Sequence, residues 1–245
     1  RAIPLTELGQ RVGAILLVRE ISELRRREQE LMTKDATIRE IHHRVKNNLQ
    51  SVAALLRLQA RRMPDGQGRA ALAEAVRRVG TIALVHETLS RGLDETVEFD
   101  EVADRAVRAV VEVTTHSGAV DAARVGSFGR VRAEDATALA MIVSELVQNA
   151  VEHGVGSTGG TVRVDARRKP SRDGDDVLTV TVSDDGAGLP GGKLPTGRTL
   201  AGSGLGTQIV QSLVQDLRGK IGWSSPQLGG TVVKFTARLR RLPSG

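Results

Sequence analysis

Over residues 20–63 the chain contains neither glycine nor proline, and Leu24, Leu31, Ile38, Val45 and Val52 recur at intervals of seven. That interval draws one apolar stripe down a long α-helix, which must bury it against another helix. Ile21, Leu49 and Leu56 fill the companion positions, while Glu28 and Asp35 stand on the seam and loosen its first third. "PDGQG" at 64–68 stops the helix, because proline withholds an amide donor and glycine frees the backbone. A second helix is predicted over 69–91, with Leu72, Val76, Val79, Ile82, His86 and Leu89 at core spacing. Two helices joined by a short loop form an antiparallel hairpin with part of its stripe uncovered. Two copies would complete a four-helix bundle, so a homodimer is expected.

Ahead of the long helix, "VGAILLV" at 12–18 follows the turn-like "ELGQR" and predicts a short buried strand. It is far shorter than the roughly 20 residues that cross a bilayer. No secretory signal pattern opens the chain, which starts as a fragment of something longer would. The absence of cysteine excludes disulfides, thiolate zinc sites and iron–sulfur clusters. A reducing compartment suits that composition, and a cytoplasmic location is expected. The net charge of +6 raises nucleic acid as a partner, but aromatics at 2% with no tyrosine leave bases few surfaces to stack on. The arginines of "RRREQE", "RLQARR" and "RLRRL" are scattered among acids and apolar residues. They read as solvated helix faces, with no direct nucleic-acid contact expected.

After "GLDET" the pattern alternates. "VEF" precedes a helix at 101–115, a strand-like stretch at 119–128 and a helix at 133–153. The strands "TVRVDARR" and "VLTVTVSDD", a glycine-rich loop at 186–206 and a helix at 207–218 follow. "KIGWSS" and "TVVKFTARL" close the chain as strands. The fold class expected is α+β: a helical hairpin, then an α/β sandwich on a mostly antiparallel sheet. The divisions expected are 1–21, 22–92 and 97–243.

Three stretches of the second half carry chemistry. "SELVQNAVEH" at 144–153 sets Glu145, Asn149 and Glu152 along one helix flank, opposite a stripe of Leu139, Ile142, Val143, Leu146 and Ala150. A carboxylate and an amide four residues apart face the same way and can share an ion. "DDGAG" at 184–188 ends a strand with an acid and two glycines, and "GSGLG" at 202–206 opens a helix whose amides suit phosphate oxygens. In this order and spacing the three resemble the ATP-binding fold shared by DNA gyrase, Hsp90-type chaperones, histidine kinases and MutL. That resemblance implies ATP and Mg²⁺ as cofactors. It implies that Asp184 meets the adenine amino group, Asn149 binds Mg²⁺, and Gly186 and Gly188 shape the adenine pocket. Gly202, Gly204 and Gly206 would hinge a lid, and Thr231 would lie near the adenine.

"EIHHRVKNNLQ" at 40–50 carries two histidines. At about 100° per residue, Ile38, Ile41, Val45, Leu49, Val52 and Leu56 fall within about 80° of one another. His42 sits on the flank of that stripe, where packing or a local hydrogen bond would satisfy it. His43 lies opposite and faces water, as a group reached by a second domain must. "HRVKNNLQ", with "ALVHETL" at 83–89, resembles the phosphoacceptor box of the histidine kinases that carry His-Arg-x-Lys-Asn. A cytosolic actinobacterial branch of these is similar throughout residues 36–242. "GAILLVREISELRRREQEL" resembles the last strand of a PAS sensor running into a signalling helix.

The resemblance implies a two-component sensor kinase that phosphorylates its own His43 and passes the group to an aspartate of a response regulator. In that branch the regulator often has an RNA-binding antiterminator output. Glu40 is a candidate proton acceptor, and Asn47, one turn beyond His43, a candidate for supporting dephosphorylation of the partner. Arg44 stands where many such kinases carry an acid, and Glu152 where many carry lysine. The phosphate-facing cation is therefore expected from His153, Lys193 or Arg198. Two rival readings remain. One is a gyrase-type conformational ATPase, in which Glu145 activates water; the other is a degenerate scaffold without turnover.

Overall fold

The computed structural model describes residues 2–7, 10–16, 22–90, 96–114, 120–156, 159–171, 174–189, 204–227 and 229–242. The chain divides into two compact units, Arg1–Glu40 and Ile41–Gly245. The first holds strands β1 (Ala2–Glu7) and β2 (Gln10–Leu16), paired antiparallel from Ala2↔Leu16 to Glu7↔Gln10. The apolar run at 12–18 thus gains a partner strand that its sequence pattern did not announce. Helix α1 (Ser22–Arg62) begins in this unit and runs on into the next.

In the second unit α1 is followed by α2 (Gln67–Leu89), with the turn at the expected place. The two helices meet at His42, whose Nδ1 lies 3.0 Å from Nδ1 of His86, and at a 3.2 Å ion pair between Lys46 and Glu87. Ala53 and Ala83 are buried between them, beside a cavity of about 410 Å³ whose lining includes Leu49 and Val79. The expected stripe is divided: Val45, Leu49 and Leu56 are half-buried, but Ile41 is 53% and Val52 45% exposed. Leu55 is 63% exposed on the same outer face. Helix α2 instead sends Val85 and Leu89 into the core of the following layers.

Those layers comprise β3 (Thr96–Glu98), α3 (Phe99–Thr114), β4 (Val120–Gly126), β5 (Arg130–Arg132) and α4 (Ala133–Asn149). A π-helical turn, Ala150–Val155, continues α4, and β6 (Gly160–Pro170), β7 (Asp175–Asp184), α5 (Gly204–Asp216), β8 (Ile221–Ser224) and β9 (Val232–Arg240) complete the chain. The main sheet has the order β4-β6-β7-β9-β8, antiparallel except for the β4–β6 pair; β3 and β5 form a separate pair.

Alternation along the strands sets the two faces. Val162, Val164 and Ala166, Leu178, Val180 and Val182, and Val233, Phe235, Ala237 and Leu239 are buried. They share one core with Leu139, Ile142, Val143 and Leu146 of α4 and Val210 and Val214 of α5. Phe99 and Phe128 pack as tilted rings within it, 5.0 Å between ring centres. The opposite face carries Arg163, Asp165, Arg167, Thr179, Thr181 and Lys234. This is the expected α/β sandwich. Among the described residues, no helix is long and apolar enough to cross a membrane.

The two imidazoles cannot both carry a proton at that separation without repulsion. Burial, and then the neighbouring His42, depress the pKa of His86. The unfolded chain therefore binds more protons in the interval below the ordinary histidine value of about 6.5, and folding stability falls as pH drops through it. A thermal melt should show a lower midpoint at pH 5.5 than at pH 7.5, and His86→Gln should remove part of that difference. A pH dependence unchanged by the substitution would contradict the depressed value.

Candidate functional site

Helix α4 ends where its chemistry begins. Asn149 is its last residue, and the backbone then widens into the π-helical turn, a departure that often marks a functional position. Gly154, in that turn, lies against Asp184: a Cβ there would overlap the carboxylate. Asp184 ends β7, and its Oδ1 accepts hydrogen bonds from the N–H groups of Gly186, at 3.0 Å, and Thr231, at 3.1 Å. Its own N–H donates to the Thr231 carbonyl. Burial pushes the Asp184 carboxyl above the usual carboxylate range; the two N–H donors and the Thr231 hydroxyl pull against this, and Asp185 adds to it.

The glycines around it are steric necessities. A Cβ on Gly186 would strike the Gly154 carbonyl, and one on Gly230, at φ +80°, the Asp184 carbonyl. Gly188, at φ +76°, faces Ser225 Oγ and the Gly230 carbonyl, and Gly230 N–H donates to the Gly186 carbonyl at 2.7 Å. The segment after β7 is thus fastened between the π-helical turn and the approach to β9. An oriented, half-buried carboxylate at the mouth of such a cradle can accept a hydrogen bond from an amine on a flat heterocycle.

The flank of α4 and the π-helical turn form a second part of the site. Glu145, Asn149, Glu152 and His153 line a cavity of about 710 Å³ together with residues of α1, α2 and α3. Glu145 is bound by Arg78 of α2 through two bonds, Nε to Oε1 at 2.8 Å and Nη2 to Oε2 at 3.1 Å. Arg78 also contacts Glu74. Arg77 reaches to 3.8 Å from Glu152, which also accepts from Gln148. Ser144 Oγ accepts from Thr81 Oγ1 at 3.3 Å.

Gly206 is buried within the first turn of α5, where a Cβ would press on Glu145 Oε2. Gly204 and Gly206, expected in the glycine-rich loop, are therefore helical, because α5 starts three residues earlier than its apolar pattern. Gly202, Lys193 and Arg198 lie outside the described residues.

His43 is exposed on α1 and Asn47 is exposed one turn further, while His42 packs against His86 as expected of the seam histidine. Neither His43 nor Asn47 lines the large cavity. Its lining on α1 begins at Arg57, about 20 Å along the helix from His43 at 1.5 Å per residue. The structure thus gathers Asp184, Gly186, Gly188 and Thr231 in one cradle. It gathers Glu145, Asn149, Glu152, His153 and Gly206 in one cavity, and sets the imidazole apart from both. Gly154, Gly230, Arg77 and Arg78 were not legible as site residues. Gly154 directly follows the predicted helix at 133–153, and the two arginines lie off the core positions of the predicted second helix.

Comparison with known proteins shows the family of both parts of the chain. Residues 40–114 match the family model described as histidine kinase, and residues 134–241 the model of histidine kinase-, DNA gyrase B- and HSP90-like ATPases. The sensor histidine kinase PdtaS of Mycobacterium tuberculosis is 47% identical over 237 residues, covering 95% of this chain and 45% of that protein. PdtaS of Mycolicibacterium smegmatis is 45% identical over 249 residues, covering 100% and 48%. The chain therefore spans about half the length of these relatives. The histidine kinase domain of the blue-light-activated kinase EL346 from Erythrobacter litoralis superposes with a TM-score of 0.56 at 24% identity, over 86% of this chain and 94% of that one, which shows the shared fold. With both models matched in sequence and the PdtaS kinases aligned along nearly all of it, the chain belongs to the histidine kinase family.

Proposed function

We propose that this chain is the kinase core of a two-component sensor: it transfers the γ-phosphoryl group of ATP to His43, and then to an aspartate of a response regulator receiver domain. One observation carries the reading. An exposed imidazole stands on a helical hairpin in the same chain as a cradle built around the Asp184 carboxylate. The residues present fit an adenine nucleotide: Asp184 as acceptor for the exocyclic amine, Gly186, Gly188 and Gly230 allowing close approach, and Thr231 beside the carboxylate. The amide oxygen of Asn149 suits a hard cation such as Mg²⁺, which would supply charge neutralisation at the phosphates.

His43 acts as nucleophile. A ring nitrogen forms the N–P bond as the bond from phosphorus to the β,γ-bridging oxygen breaks, ADP leaves, and the ring proton passes to a base or water. The distance between His43 and the α4 flank means that the hairpin and the ATP-binding layers must rearrange, or that a second copy presents its histidine. The exposed face of Ile41, Val52 and Leu55 supports a homodimer through α1. Residues 1–21 would be the tail of a PAS-like sensor, 22–92 the signalling helix and hairpin, and 97–243 the ATP-binding domain. The receiver would carry the RNA-binding antiterminator output found in the branch this chain resembles, and the kinase would work in the cytoplasm. Arg78 holds both oxygens of Glu145, which counts against the rival ATPase reading, in which that carboxylate takes a proton from water.

Incubation with γ-labelled ATP tests the reading directly. Wild type should acquire label that is lost in acid and kept in base, and His43→Gln should acquire none while still binding nucleotide. His42→Gln should keep part of the labelling. Label on His43→Gln with none on His42→Gln would reverse the assignment.

Adenine recognition through Asp184 needs its charged form, and the raised pKa brings protonation closer to neutrality than for an ordinary aspartate. ATP affinity should therefore weaken as pH is lowered from 7.5 to 5. Asp184→Asn should bind more weakly at pH 7.5, by roughly tenfold or more for one charge-assisted hydrogen bond. It should also lose most of the acid dependence. Calorimetric titration at several pH values reads both.

Asn47 shares the exposed face of His43 and can hold a water beside a phosphorylated aspartate docked there. Asn47→Ala should label normally but slow the decay of regulator phosphate when the kinase is present. Identical decay with wild type, with the variant and with no kinase would exclude this role.

A further inference from the structure

The flank of α4 sets an electrostatic problem for a nucleotide. A triphosphate passing Asn149 would meet Glu145 four residues before it and Glu152 three residues after it, two carboxylates of its own sign. Like charges at such range oppose binding unless cations intervene. The cavity along this flank supplies them. Its described lining includes six arginines, Arg57, Arg61, Arg69, Arg77, Arg78 and Arg105, against three glutamates, Glu74, Glu145 and Glu152. Arg105 bonds Glu87 through Nη2, and its Nη1 is buried with no hydrogen-bond partner among the described residues. A pocket so composed favours a polyanion.

Two of these arginines stand against the flank itself, and they differ in how tightly they are held. Arg78 is 14% exposed, bonded twice to Glu145, which is 12% exposed, and also in contact with Glu74. Its partners raise its pKa further, and exchanging them would break this doubly bonded ion pair between α2 and α4. Arg77 is 34% exposed and 3.8 Å from Glu152, itself 41% exposed. That separation exceeds hydrogen-bond length, so Arg77 gives up little by turning. A guanidinium fork matches two phosphate oxygens as well as it matches a carboxylate.

We propose that Arg77 of α2 is the cation that holds the terminal phosphate of the nucleotide, while Arg78 is a positioning residue that neutralises Glu145 so the flank tolerates polyphosphate. The inference rests on the reading that the protein binds Mg·ATP. It adds that the phosphate contact comes from the hairpin bearing His43, not from the ATP-binding layers. The hairpin would then distinguish a nucleotide with a third phosphate from one without.

The test compares Mg·ADP with the Mg²⁺ complex of a non-hydrolysable ATP analogue, AMP-PNP, by calorimetry on the whole chain. Wild type, Arg77→Gln, Arg77→Lys and Arg78→Gln are measured, with thermal melts to verify folding. Arg77→Gln should weaken AMP-PNP binding about tenfold, or about 1.4 kcal/mol, and leave ADP within about twofold. Arg77→Lys keeps the charge without the fork and should fall between wild type and Arg77→Gln. Arg78→Gln should lower the melting temperature and weaken both nucleotides together. A purely structural ion pair would not change the ratio of the two affinities. An unchanged ratio in folded Arg77→Gln therefore overturns the assignment while leaving ATP binding intact. Wild type that binds neither nucleotide overturns the functional reading and this inference together.

Discussion

The Asp184 carboxylate is the fastening on which the nucleotide half depends. A carboxylate drawn half out of water is costly unless donors surround it. Here the donors come from the backbone of two separate segments, at Gly186 and Thr231, and a third segment, the π-helical turn, closes over it at Gly154. Each segment must come close enough that a side chain would collide, so glycine recurs at 154, 186 and 230. On the proposed function, the group that secures this end of the sheet would also meet the adenine, and stability and recognition would draw on one set of hydrogen bonds.

The second organising contact is electrical. Helix α2 reaches α4 through Thr81 to Ser144, Arg78 to Glu145 and Arg77 to Glu152, a ladder of polar contacts beside the apolar core that Val85 and Leu89 enter. The half-exposed pair of Arg77 and Glu152 exchanges partners at modest cost, whereas the nearly buried Arg78–Glu145 pair and the close-packed core do not. A kinase core has to bring its acceptor histidine to its nucleotide and release it again. A loose, partly exposed ion pair at the edge of that contact suits the need, and the loosely filled space between α1 and α2 is consistent with it.

Much of this was readable in the chain. Within the stretch of 20–63 without glycine or proline, Ser22–Arg62 form one helix because nothing in it favours another backbone. The strands around "TVRVDARR" and "VLTVTVSDD" kept their alternation because one face is buried and the other wet. The site was legible at Asp184, Gly186 and Gly188, where an acid and glycines crowd at the end of a strand. What escaped was set by distant partners. β1 and β5 are short and owe their existence to pairing with β2 and β3. Ile41 and Val52 carry the right spacing yet remain exposed, since spacing cannot say whether the covering helix belongs to the same chain. Arg77 and Arg78 look like any solvated pair until α4 is laid beside them.

The one parallel pairing in the sheet governs the order of assembly. Val120 of β4 lies opposite Gly160 of β6, and the connection between the two strands includes the whole of α4. During synthesis the hairpin of α1 and α2 can close through local contacts as soon as it emerges. β4 must wait for some forty further residues before its partner exists. Closing that loop costs chain entropy before any strand contact repays it, which makes this pairing a slow step. The hairpin that carries His43 can therefore take shape on the ribosome before the layers that carry Asp184.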